Sequence, residues 1–116
     1  MMELHDKQLT HSSVEDLRKK IMGVEGLSDL FAVLGDETRT KIIFLLSLRP
    51  LCTHDIATVL DVSLPTVSHH LRIMRLMKLV RHTREGKRVI YELDDSHVMD
   101  LITIAREHYD EPRHGT

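Results

Sequence analysis

Two pairs of metal-ligating residue types lie near the two ends of the last stretch of helical pattern. Asp95 and His97 are two residues apart, His108 lies eleven residues beyond His97, and Glu111 follows three residues later. Eleven residues make three helical turns, so both imidazoles share one face, about 16 Å apart along the axis. Ligand bonds of about 2 Å cannot span that distance. Two antiparallel copies can, because each gives Asp95 and His97 to one site and His108 and Glu111 to the other. The spacing therefore predicts a homodimer with two identical sites.

The donor types indicate which ion such a site would take. Two imidazole nitrogens and two carboxylates form a closed tetrahedral set that favours Zn(II), with Co(II) as a surrogate. Ni(II) would require more ligands, for which His114 is a candidate. The same residues also have a structural interpretation, in which Asp95 caps the helix while His108 and Glu111 are solvated near its end.

Positive charge is concentrated in the middle of the chain, although the net charge is −2. Seven basic residues and one acid, Glu85, lie within residues 71–88, whereas seven acids and two bases follow from Glu92 onward. A basic segment between acidic ends is typical of a protein that binds a polyanion. The alternative is a solvated charged face.

The hydrophobic periodicity predicts a mainly α fold with one β-hairpin, in the order α-α-α-α-β-β-α. Residues 42–46 form an apolar run of five residues and predict the central core helix. The strands are expected at residues 79–83 and 89–93, joined by a turn over residues 84–88. Helix caps are predicted at the polar residues that precede each apolar run: Ser12 or Ser13, Asp36, Thr53, Ser63, and Asp94 or Asp95.

Two short predicted helices joined by a tight turn at Asp61, followed by a charged hairpin, indicate a winged helix-turn-helix. Short or flat polar side chains suited to base edges and phosphates are expected to point outward from the second helix, and basic ones from the hairpin tip. The predicted DNA contacts are Ser63, Thr66, Ser68, His69, Arg72, Arg84, Lys87 and Arg88. A protein-docking role is the alternative, and the basic stripe favours DNA.

Three segments carry a resemblance to a known family: Leu-Cys-Thr-His-Asp-Ile-Ala at residues 51–57, Thr-Val-Ser-His-His-Leu at 66–71 and Arg-Glu-Gly-Lys-Arg-Val-Ile-Tyr at 84–91. Residues 27–111 resemble the ArsR/SmtB family of metal-sensing repressors. The resemblance implies a homodimeric winged-helix repressor that metal releases from its operator, and it suggests that Ser68 and His69 contact DNA. At Leu64 and Pro65 the family often has polar residues, so the family's base contacts are not expected at these two positions and the operator preference is expected to differ.

The resemblance also bears on both metal-binding regions. Asp95, His97, His108 and Glu111 match the family's C-terminal helix site at all four positions. A second family site combines residues near the first turn-forming helix with the N-terminal arm of the partner. Here those residues are Cys52, His54 and Asp55, and the arm offers His5, Asp6 and His11. Because this arm has no Cys, a thiolate-rich site for cadmium, lead or arsenite is disfavoured.

Cys52 has alternative interpretations. It is expected to be a mixed Cys/His ligand, a partly buried small hydrophobe, or the switch of a thiol-responsive regulator. A single Cys fits a reducing cytosol, so we expect a cytoplasmic protein. No apolar run approaches a membrane span.

The expected organisation is a flexible N-terminal arm at residues 1–12, a DNA-binding and dimerisation domain at 13–111 and a tail at 112–116. An enzyme is disfavoured because a closed four-ligand site offers no open coordination position. We expect the apo homodimer to bind an inverted-repeat operator and to be released when Zn(II) binds between the C-terminal helices. A Ni/Co-responsive or thiol-responsive regulator of the same fold is the alternative.

Overall fold

The computed structural model describes residues 8–112, where helices dominate and three short strands form one antiparallel sheet. The elements are α1 (His11–Ile21), α2 (Leu27–Leu34), α3 (Glu37–Leu48), β1 (Leu51–Cys52), α4 (Thr53–Leu60), α5 (Leu64–Leu76), β2 (Val80–Glu85), β3 (Arg88–Leu93) and α6 (Ser96–Asp110). The chain divides after Phe31 into two units. None of the described helices is long and apolar enough to cross a membrane.

The N-terminal unit contains α1 and a short 3-10 turn, followed by the start of α2. Helix α1 begins at His11, because the hydroxyl of Thr10 accepts a hydrogen bond from the backbone N–H of Ser13 at 3.1 Å. The predicted cap at Ser12 or Ser13 is therefore wrong, and both serines lie in the first turn. Residues 11 and 12 of the predicted arm thus belong to α1, and residues 1–7, which include His5 and Asp6, lie outside the described residues.

Helix α3 forms the centre of the second unit, as its apolar run predicted. Its N-cap is Asp36, whose Oδ1 accepts a hydrogen bond from the backbone N–H of Arg39 at 3.0 Å. Ile42 and Ile43 are fully buried. The other fully buried large side chains come from α4, α5 and β2: Ile56, Val67, Leu71, Met74 and Val80. The helix-turn-helix and the hairpin therefore pack on the same aliphatic core.

The sheet has the strand order β1-β3-β2 and is antiparallel throughout. The hairpin turn contains only Gly86 and Lys87, because Gly86 adopts a φ of 63° that suits a two-residue turn. Both hairpin strands therefore extend closer to the turn than predicted. Strand β1 pairs with β3, with Leu51 opposite Tyr91 and Cys52 opposite Ile90.

The fold class is confirmed, but the order of elements differs from the prediction in two respects. Five α-helices precede the hairpin rather than four, because the 3-10 turn at Met22–Val24 separates α1 from α2. Strand β1 was not predicted. A two-residue strand shows no alternation in its sequence, and its pairing depends on residues far along the chain.

Candidate nucleic-acid interface and metal centre

Helices α4 and α5 are joined by the tight turn that the sequence predicted at Asp61. This residue has a φ of 55°, a left-handed conformation that Asp tolerates better than most residues. The N–H of Val62 donates to the carbonyl of Ala57 at 3.1 Å, which closes the turn. The N-cap of α4 is Cys52 rather than the predicted Thr53, and its side chain makes no capping bond.

Helix α5 carries most of the predicted base contacts on its exposed side. His69 and Arg72 are exposed and Ser68 is half-buried. Ser63 caps the helix as predicted, since its Oγ accepts from the N–H of Thr66 at 3.3 Å. The hydroxyls of Ser63 and Thr66 also lie 2.7 Å apart and share a hydrogen bond. The first turn of α5 is therefore held by its own polar groups.

His70 connects α5 to the start of α3, a role that the sequence did not indicate. Nε of Arg39 donates to Nδ1 of His70 at 3.0 Å, between residues 31 positions apart. Burial lowers the pKa of His70, and the positive charges of Arg39 and His69 lower it further against the opposing effect of Asp36. The pKa of Asp36 is lowered, chiefly by the hydrogen bond from the N–H of Arg39. Nδ1 of His70 thus accepts a hydrogen bond that joins α5 to the start of α3.

The hairpin, or wing (residues 80–93), has two different kinds of basic residue near its tip. Arg84 and Lys87 are exposed and form no ion pair with another residue in the range 8–112. Nη2 of Arg88 instead lies 3.3 Å from both Sγ of Cys52 and Oδ2 of Asp55. The hydrogen bond to Cys52 and the charge of Asp55 raise the pKa of Arg88. Arg88 therefore links β3 to the start of α4.

The same contact occupies two members of the predicted second metal site. Cys52 is only 4% exposed, whereas His54 and Asp55 are exposed in the first turn of α4. His11 is the first residue of α1, in the N-terminal unit, and His5 lies outside the described range. The structure thus brings together Cys52 and Asp55, with Arg88 between them.

At the start of α6, Asp95 caps the helix and also lies next to His97. Its Oδ1 accepts hydrogen bonds from the N–H groups of Val98 at 3.2 Å and His97 at 2.9 Å, which lower the pKa of the carboxyl. Its Oδ2 lies 3.7 Å from Nδ1 of His97, whose side chain is 90% exposed. Two ligands bound at 2.0–2.1 Å in a tetrahedral site are about 3.3 Å apart. Because the cap uses only Oδ1, Oδ2 of Asp95 remains free of it, and the distance from Oδ2 to Nδ1 of His97 is close to the distance between two ligands of one ion.

At the other end of α6, His108 occupies the last turn and Glu111 follows the helix as its C-cap. The N–H of Glu111 donates to the carbonyl of His108 at 3.3 Å, and the chain leaves the helix only after Glu111, whose φ is −58° and ψ 140°. The helix is continuous from Ser96 to Asp110, which keeps His97 and His108 three turns apart. Within residues 8–112 of one chain, no three potential ligands cluster closely enough to hold an ion. His114 lies outside the described residues.

Helix α6 also presents apolar surface to solvent. Ile104 and Tyr109 are largely exposed, and Met99 is partly exposed. A shallow groove of about 610 Å³ runs between α3 and α6, with Phe44 and Met99 among its lining residues. An apolar, solvent-exposed helix face of this kind is typical of an interaction surface.

Comparison with known proteins places these features in context. Residues 36–82 match a family model described as "Bacterial regulatory protein, arsR family". A cadmium resistance transcriptional regulatory protein CadC homolog of Staphylococcus aureus is 35% identical over 106 residues, covering 90% of this chain and 85% of the relative. A transcriptional repressor SmtB homolog of a Synechocystis species is 34% identical over 114 residues, covering 95% of this chain and 86% of the relative.

Among solved structures, the chain resembles a homodimeric winged helix-turn-helix DNA-binding domain of Mycobacterium bovis. The TM-score is 0.70 at 25% identity, covering 84% of this chain and 94% of that one. That structure is described as a possible ArsR-family transcriptional regulator. The fold, the helix-turn-helix and the wing of the present chain thus have a counterpart of known quaternary structure.

Proposed function

The chain belongs to the arsR family of bacterial regulatory proteins, a family of DNA-binding regulators rather than enzymes, and on this premise we propose that it is a metal-responsive repressor. The apo homodimer binds an inverted-repeat operator, and Zn(II) held between the α6 helices of the two copies releases it. The repressor acts in the cytoplasm and has no membrane partner. The observation that carries the metal proposal is the spacing of Asp95 Oδ2 and His97 Nδ1 at the start of α6.

The DNA-binding part of the proposal is supported by the positions of the exposed cations. Arg72 on α5 and Arg84 and Lys87 on the wing are exposed. In a winged helix-turn-helix dimer, the second helix of each copy enters a major groove while the wing meets the adjacent backbone. We propose that Ser68 and His69 read base edges and that Ser63 and Thr66 orient the helix start at the phosphates.

The metal-binding part is supported by the two ends of α6. Asp95 and His97 would supply two ligands to an ion, and His108 and Glu111 of a second copy would supply the other two. Two imidazoles and two carboxylates fit Zn(II) in a closed tetrahedral set. The relative from Staphylococcus aureus is named for cadmium, but soft cadmium ions favour thiolates and this chain has one Cys.

The exposed apolar face of α6 supports the dimer that such a site requires. Along this helix Ile104 lies between the two ligand pairs and Tyr109 directly follows His108. Both exposed side chains would be buried against a second copy. A metal bound across two helices fixes their relative orientation. For the operator to be released, the metal must bind the DNA-free arrangement more tightly, and by reciprocity the operator must weaken metal binding by the same factor. A typical coupling of about 1–3 kcal/mol would give a five- to 150-fold change in affinity.

The test is fluorescence anisotropy on DNA from upstream of the protein's own gene, first in chelator and then with added Zn(II). Asp95→Asn keeps the helix cap, because Asn and Asp cap equally well, but it removes a carboxylate ligand. We expect Zn(II) to release the wild type and the control Glu107→Gln, but not Asp95→Asn or His97→Gln. Release of all four proteins would refute the α6 site. Tight DNA binding that no metal changes would refute metal sensing.

A second candidate is supported by the proximity of Cys52 and Asp55, since Nη2 of Arg88 lies 3.3 Å from both side chains. Here the effector acts at Cys52, either as a metal bound with His54, Asp55 and His5 or His11 of a second copy, or as a thiol reagent. Ni(II) or Co(II) at the α6 site is a third variant. Cys52→Ser would abolish the response in the second candidate and leave the Zn(II) response intact in the first. Parallel titrations with Zn(II), Co(II) and Ni(II) separate the metals.

A further inference from the structure

The first turn of α5 presents apolar side chains on the side of the molecule assigned above to DNA. Leu64 is 37% exposed, and Pro65 and Thr66 are also exposed. The N-terminal residues of the second helix of a helix-turn-helix contact base edges in the major groove. The inference rests on the proposed repressor function and concerns which bases this turn recognises.

The polar groups of the same turn are already engaged with each other. Ser63 Oγ accepts from the N–H of Thr66, and the two hydroxyls lie 2.7 Å apart, so one hydroxyl hydrogen is used and both groups are directed toward each other. Pro65 has no N–H to donate. The exposed polar side chains that are free of this cap begin one turn later, with His69 and Arg72. The leading turn of α5 therefore offers mainly carbon surface.

Carbon surface has one complementary group among the base edges of the major groove, the C5-methyl of thymine. A leucine pressed against a polar base edge would remove water from that edge without replacing its hydrogen bonds. Against a methyl group, both partners lose apolar area from water. We propose that Leu64, supported by Pro65, recognises a thymine methyl in each operator half-site and is a specificity-determining residue.

The test begins with a probe that does not depend on knowing the natural operator. The apo protein selects duplexes from a pool of inverted repeats with randomised half-sites, and the duplex that binds most tightly is resynthesised. Each dT of the half-site is then replaced by dU, which removes the methyl and leaves every hydrogen-bonding group unchanged. We expect dU at one position to weaken binding about four-fold per half-site, and about fifteen-fold in both, from the burial of one methyl in each.

Two variants assign this discrimination to Leu64. Leu64→Ser should bind the dT and dU duplexes with equal Kd. Leu76→Ser is the matched control, because Leu76 is a more exposed leucine, at 73%, at the other end of the same helix. It should keep the wild-type preference for dT. Circular dichroism checks that both variants retain the helical content of the wild type.

The outcomes separate this inference from the function on which it rests. If no duplex is retained, the repressor function fails and the inference fails with it. If the selected duplexes share no dT at one position of the half-site, or if the wild type binds dU and dT duplexes with equal Kd, only the thymine inference is refuted. Equal loss of discrimination in Leu64→Ser and Leu76→Ser would refute the assignment to Leu64. Loss in Leu64→Ser alone would support it.

Discussion

The contacts of Arg88 predict that the basic residues of the wing contribute to DNA binding in two different ways. Arg84 and Lys87 are exposed, and we expect them to neutralise phosphates, together with Arg72 on α5. Arg88 is held 3.3 Å from both Asp55 and Cys52. We therefore expect Arg88 to set the position of the wing relative to α4 without neutralising a phosphate.

The salt dependence of operator affinity gives this difference a magnitude. Three phosphate contacts in each of two copies make six, and each contact contributes about 0.9 to the slope of log K against log salt. The wild-type slope should be about −5.4, which corresponds to about a 1,800-fold loss of affinity from 50 to 200 mM salt. Arg84→Gln removes two contacts, so its slope should be about −3.6 and its loss about 150-fold.

Arg88→Gln should give a different result in the same anisotropy titrations. We expect weaker binding at every salt concentration with a slope that stays near the wild-type value, because the number of phosphate contacts is unchanged. Asp55→Asn removes the other partner of the contact and should give the same parallel shift. If Arg88→Gln lowers the slope as much as Arg84→Gln does, Arg88 contacts phosphate in the complex and the positioning role is refuted.

Three further predictions concern stability and can be checked by urea denaturation. Ile43→Ala should lower the free energy of unfolding by about 2–5 kcal/mol, because Ile43 is fully buried, whereas the exposed Val59→Ala should change it by less than about 0.5 kcal/mol; equal effects would contradict the core assignment. Asp36→Ala should cost about 1 kcal/mol through loss of the α3 cap, and Asp36→Asn should recover most of it. Because the pKa of His70 is lowered from 6.5 in the folded state, the unfolded chain binds the proton more tightly. The contribution of His70 to the free energy of unfolding is therefore fully present above pH 6.5 and is lost as the pH falls through 6.5 toward the lowered pKa. If the difference in the free energy of unfolding between the wild type and His70→Gln does not change with pH, this reasoning is refuted.

The features that were predictable from sequence depend on residues close together along the chain. The caps at Asp36, Ser63 and Asp95 and the left-handed turn at Asp61 each have a local cause, and each was predicted. The spacing of His97 and His108 on one helix is equally local. These features define where the helix-turn-helix lies and where the ends of α6 present the proposed ligand pairs.

The features that were missed depend on pairs that are distant along the chain. The bond from Arg39 to His70 joins residues 31 positions apart, and the contact of Arg88 with Cys52 joins residues 36 apart. No periodicity or spacing rule indicates such a pair, because its partners meet only after the helices pack. Arg88 in particular has the sequence context of a phosphate contact and acquires its internal partners from the pairing of β1 with β3.

The short strand β1 has a consequence for how the molecule moves. Its pairing with β3 hydrogen-bonds the chain before α4 to the chain after the wing turn, so α4, α5 and β2 lie inside one closed loop. The entropic cost of closing such a loop grows only slowly with its length, and closing this one loop constrains all three elements together. We expect the amides of this segment to exchange with solvent as one cooperative unit. A signal that arrives at α6, which directly follows β3, would then reach DNA as a rotation of the whole unit and not as a rearrangement within it.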